Sequence, residues 1–107
     1  MKTAHSNRCA FLRGLGIGTS GAKEHVVEEA LANLMREAGL TDREQKALTL
    51  QEGLESGERM SPVQIEHATF VSISANEVEK LVAEAMGKIR DAVRARRELS
   101  ERHEKVT

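Results

Sequence analysis

Residues 74–93 read S-A-N-E-V-E-K-L-V-A-E-A-M-G-K-I-R-D-A-V, and this run decides the fold. Val78, Leu81, Val82, Ala85, Met86, Ile89 and Val93 recur at three- and four-residue intervals. That spacing makes one face of a helix apolar, with Glu, Lys and Asp on the other. Ser74 followed by Glu77 opens the run as a capping box: a hydroxyl accepts from the backbone N–H three residues on, and a carboxylate reaches back. Beyond Val93 the stripe fades into R-A-R-R-E-L-S-E-R-H-E-K, which has helical propensity and little to bury. Residues 94–107 therefore read as a basic, charged C-terminal extension.

The same grammar recurs upstream. Ser61-x-x-Gln64, with Pro62 at the first helical position, predicts a helix over about residues 62–70. Thr41-x-x-Glu44 predicts one over about 42–53. Val26, Val27, Ala30, Leu31, Leu34 and Met35 predict another over about 24–38, stopped by Gly39. No stretch alternates as a strand does. The chain lacks Trp and Tyr and has only Phe11 and Phe70 as aromatics, so its core is aliphatic. The expectation is an all-α domain of about four helices over residues 23–93, with a helix-turn-helix and a long last helix.

Residues 1–22 carry Gly14, Gly16, Gly18 and Gly21, a density that disfavours regular structure and predicts a flexible arm. Its Phe11, Leu12, Leu15 and Ile17 are apolar enough to seek a surface to dock on. The run S-N-R-C-A-F-L-R-G-L-G-I-G is too short in its apolar part, and too broken by Gly, to read as an export signal. No apolar run approaches the ~20 residues that span a bilayer, so no membrane partner is expected. A single Cys excludes an internal disulfide framework and fits a soluble protein of a reducing cytoplasm.

The net charge of −1 hides a strong asymmetry. Residues 1–23 sum to +4, 24–60 to −5, 61–86 to −3 and 87–107 to +3. Basic ends around an acidic middle point to an anionic partner.

The run L-T-D-R-E-Q-K-A-L-T-L-Q-E-G-L, Leu40 to Leu54, resembles the opening of region 4 of bacterial sigma factors. Ser74 to Arg90 resembles that family's recognition helix, including its ending at Met86-Gly87-Lys88-Ile89-Arg90. The likeness spans roughly residues 28–90, with a departure of about two residues in spacing between Gly57 and Ile73. It implies a small transcription regulator, an activator or antiterminator of the kind found in phage and gene-transfer agents. Such a factor docks on the RNA polymerase β flap and contacts promoter DNA or nascent RNA, alone or with another transcription factor.

The resemblance implies roles for particular residues. A groove for the flap would draw on Leu48, Leu50, Leu54, Ile65, Phe70 and Ile73, each of which equally suits simple core packing. Nucleic acid would meet Ser61 at a helix start, and Asn76 and Lys80 on the recognition helix. The family's arginines are missing there, and Glu77 and Glu79 stand in their region, which argues against tight independent duplex binding. Basic character moves instead to Lys88, Arg90, Arg94, Arg96 and Arg97, which also suit a solvated helix face. In the arm, Arg8, Phe11, Leu12, Arg13 and Leu15 would contact RNA or a partner.

A different class of function also fits: a small helical assembly subunit, self-associating through Val78, Leu81, Ala85, Ile89 and Val93. Catalysis is not expected. Ser, His and Asp form no nucleophilic grouping, and G-L-G-I-G-T-S-G lacks the ending of a phosphate-binding loop. His5 and Cys9 lie four apart without a second pair, so neither metal nor cofactor is expected.

Overall fold

The computed structural model describes residues 3–68 and 73–106, with side chains described as far as Leu99. Among the described residues the chain is all-helical: α1 (Ala4–Gly14), α2 (Glu24–Ala38), α3 (Asp42–Glu52), α4 (Pro62–Ala68) and α5 (Ala75–Val106). The three helices from α3 onward begin where the capping signals place them, and α2 starts at Glu24 without a side-chain cap. Thr41 and Glu44 form both halves of a capping box, at 3.2 and 2.9 Å. Ser61 and Gln64 do the same on α4, at 3.3 and 2.8 Å. The Ser74 hydroxyl accepts from the Glu77 backbone N–H at 3.2 Å.

The main correction is at the N-terminus. Residues expected to form a flexible arm include an 11-residue helix, α1. Thr3 caps it by accepting from Ser6 N–H at 3.1 Å. Phe11 and Leu12 are buried in the common core, so the apolar residues of this segment dock on their own domain. The glycines confine irregular backbone to residues 15–23, where Gly16 and Gly21 take positive φ. A physical domain boundary at residue 22 does not exist.

The long helix α5 is the spine. It packs against α2, α3 and α4, while α1 packs on α2 and α4 touches α3. Val78, Val82, Ala85, Ile89 and Val93 turn inward, meeting Val27, Leu31, Leu34 and Met35 of α2, Ala47 and Leu48 of α3, and Ile65 of α4 in one cluster. Each fully buried aliphatic side chain contributes about 2 kcal/mol. Val26, although part of the α2 pattern, faces outward. The 32 residues of α5 rise about 48 Å and account for the longest dimension of 53 Å.

Asn7 is the one buried side-chain amide of α1. Its Nδ2 donates to the Gly53 carbonyl at 3.0 Å and to the Gly57 carbonyl at 2.9 Å, tying α1 to the loop after α3.

Candidate functional site

Two surface clefts gather the residues singled out by the sequence. The first lies where α3, α4 and the start of α5 converge. It is a cavity of about 180 Å³ floored by Ala47, Leu50, Ile65, Ile73 and Val78, with Asp42, Arg43 and Lys46 at its edge. Helix α4 has seven residues, of which Ile65 is buried, and it is this side chain that joins the floor. Of the six residues expected in a polymerase groove, Leu50, Ile65 and Ile73 line this cavity. Leu48 and Leu54 are fully buried beneath the surface and serve the core. Phe70 lies outside the described residues.

The residues expected on nucleic acid are dispersed. Ser61 is exposed and already engaged in capping α4. Asn76 and Lys80 are exposed near the start of α5, beside Glu77, which faces Arg43 at 3.7 Å. The basic cluster divides by helix geometry, because positions 88, 90, 94, 96 and 97 point several ways around α5. Lys88 Nζ donates to Glu44 Oε1 at 2.6 Å. Arg96 Nε donates to Glu37 Oε2 at 2.6 Å. Arg97 Nη2 donates to the Leu15 carbonyl at 3.3 Å. Arg94 sits 3.8 Å from Asp91, both exposed. Arg90 opens into the second cleft.

That second cleft, about 240 Å³, separates α1 from α5. Ala10, Phe11, Gly14 and Leu15 form one wall; Met86 and Arg90 form the other, with Glu52 and Arg59 at the end of α3 and in the loop after it. Helix α1 packs chiefly on α2, and the Arg97 bond to the Leu15 carbonyl joins the segment just after it to α5. Of the arm residues expected to touch a partner, Phe11 and Leu15 line this cleft. Leu12 is buried and cannot be reached. Arg8 pairs with Glu28 of α2 at 2.9 Å, and Arg13 is exposed.

Two carboxyls are held below the ordinary carboxylate value. For Glu44 the main cause is the hydrogen bond from Lys88, followed by the backbone N–H of Thr41. For Glu37 it is the hydrogen bond from Arg96. Glu44 is an anchor between α3 and α5 and has one buried oxygen, Oε2, without a hydrogen-bond partner. On α1, Cys9 Sγ lies 3.6 Å from His5 Nε2. No third metal-ligating side chain joins them among the described residues.

Comparison with protein-family models, curated proteins and solved structures finds no match to this chain.

Sequence reasoning missed Asn7, Arg59 and Met86. Asn7 sat in the segment read as an arm. Arg59 lies in a loop with no periodic signal, and Met86 reads in sequence as part of the α5 apolar stripe and of the recognition-helix ending, with nothing to mark it as a cleft residue.

Proposed function

We propose that this protein is a sigma region 4-like regulator that docks on bacterial RNA polymerase through an apolar helix of the β flap. The observation that supports this reading is the cleft between α3, α4 and α5. Leu50, Ile65 and Ile73, separated by as many as 23 positions, line one concavity with Ala47 and Val78. An amphipathic helix laying two or three apolar anchors into such a cleft is a common recognition mode. Arg43 and Lys46 on the rim suit an acidic flank on that helix. On this reading the factor acts as an activator or antiterminator once docked, with promoter DNA or nascent RNA as its second partner.

Self-assembly through α5 finds less support. Val78, Ala85 and Ile89 are completely buried in the protein's own core, so their stripe is already covered.

A pull-down with purified polymerase core tests the proposal. Retention is expected with intact core, lost when the flap tip is deleted, and weakened about tenfold or more by Leu50→Arg, which places a charge in the cleft. Retention indifferent to the flap deletion overturns it.

A further inference from the structure

We infer that the cleft between α1 and α5 binds a single polynucleotide strand, with arginines on its phosphates and an apolar wall against one base. This specifies the nucleic-acid contact of the proposal above, and it does not depend on docking to polymerase.

The charge distribution comes first. Arg90, Arg94 and Arg97 occupy positions i, i+4 and i+7 of α5, so they form one stripe, with Met86 four residues before it. Their backbone positions follow one another about 6 and 4.5 Å apart along the axis. Arg97 is held at the α1 end of this stripe by its bond to the Leu15 carbonyl. Gly16 makes this possible: at φ +83 and without a side chain, it leaves the space the Arg97 guanidinium fills. Arg59 approaches the same cleft from the loop after α3. Neither Arg59 nor Arg90 forms an ion pair among the described residues, in contrast to Lys88 and Arg96.

The chemistry of the lining then selects the ligand. The two cations that line it, Arg59 and Arg90, are arginines, whose planar forks suit phosphate oxygens and stack on bases, and Arg94 and Arg97 continue the positive stripe along α5 beyond the cleft. Leu15 and Met86, both half-buried, and the exposed edge of the otherwise buried Phe11 give the cleft an apolar wall, which a base can use and a carboxylate side chain cannot. Glu52 at the α3 end repels phosphate and offers an acceptor to an exocyclic amino group.

The experiment measures anisotropy of a labelled oligocytidylate of about 15 nucleotides, whose bases carry an exocyclic amino group, with the full chain, as a function of salt. The double variant Arg59→Gln/Arg90→Gln is expected to weaken binding about tenfold or more at low salt and to flatten the salt slope by about 1.4, two phosphate contacts at ~0.7 each. Arg96→Gln, which removes the same kind of charge from a site already paired with Glu37, is expected to leave affinity within about twofold. All three positions are exposed, so the variants are expected to keep their melting temperatures, and that measurement separates loss of binding from loss of fold. Three results each overturn the inference: no binding by the unmodified protein at low salt, equal weakening by Arg96→Gln, or equal competition by polyglutamate. A duplex of the same length binding as tightly as the single strand also overturns it.

Discussion

Lys88 Nζ meets Glu44 Oε1 at 2.6 Å, with the Glu44 side chain only 1% exposed. The bond joins α5 to the first turn of α3 across 44 residues of sequence. Glu44 also completes the Thr41 capping box, so one carboxylate fixes both a helix start and an interhelical contact. Lys88→Met leaves that carboxylate buried without its cation. Half-exposure of the lysine tempers the cost, giving an expected loss of about 2 kcal/mol in denaturant unfolding. Glu44→Gln/Lys88→Met is expected to recover much of this, because Gln still accepts from Thr41 N–H and no charge is left behind.

The same pair sets an acid limit. The Glu44 carboxyl is depressed in the fold relative to its ordinary value of 4.5, chiefly by the Lys88 hydrogen bond. A depressed carboxyl contributes stability that is fully present above the unfolded value and is lost as pH falls through the folded one. Thermal unfolding is therefore expected to hold steady through neutral pH and to decline below about 4.5. Lys88→Met is expected to show a shallower decline over that acid window.

Leu12→Ala distinguishes a folded α1 from a free arm. Leu12 is 1% exposed, so truncation removes its burial and leaves a void, with an expected cost of about 3 kcal/mol. A change below about 0.5 kcal/mol, the usual cost at an exposed site, would show that α1 does not belong to the core.

Gly53→Ala tests the joint between α3 and α1. Gly53 has φ +63, and an added methyl carbon would lie 2.7 Å from the Glu58 carbonyl carbon and 2.8 Å from Asn7 Nδ2. Both backbone strain and the close approach oppose the substitution, with an expected loss of about 2 kcal/mol. Gly39→Ala is the reference: its φ is similar at +70, but an added methyl there meets nothing within 4 Å. It is expected to cost roughly half as much.

How much of this was written in the chain depends on the residue. Thr41, Ser61 and Ser74 announced three helices because a cap is a local event: hydroxyl and carboxylate lie three positions apart and need no knowledge of the rest. Helix α1 was obscured because its cap, Thr3 with Ser6, lacks the acidic half, and because Gly14 to Gly21 dominate the composition around it. For the sites, apolar residues such as Leu48 and Leu50 look alike in sequence. Only packing separates the fully buried Leu48 from Leu50, which reaches a cleft. Likewise the sequence shows five basic residues between 88 and 97, but which of them are engaged depends on Glu37, Glu44 and the Leu15 carbonyl, 44 or more positions away.

Asn7 carries a consequence for how the molecule opens and closes. Its two hydrogen bonds span 46 and 50 residues, so the turn at Gly53–Gly57 reaches its final form only after α1 has returned to it. Contacts of such long sequence separation slow folding and join distant segments into a single cooperative unit. The first helix and the middle loop are thus expected to behave as one foldon, their amides exchanging with solvent in a shared opening event and not as two independent frayings.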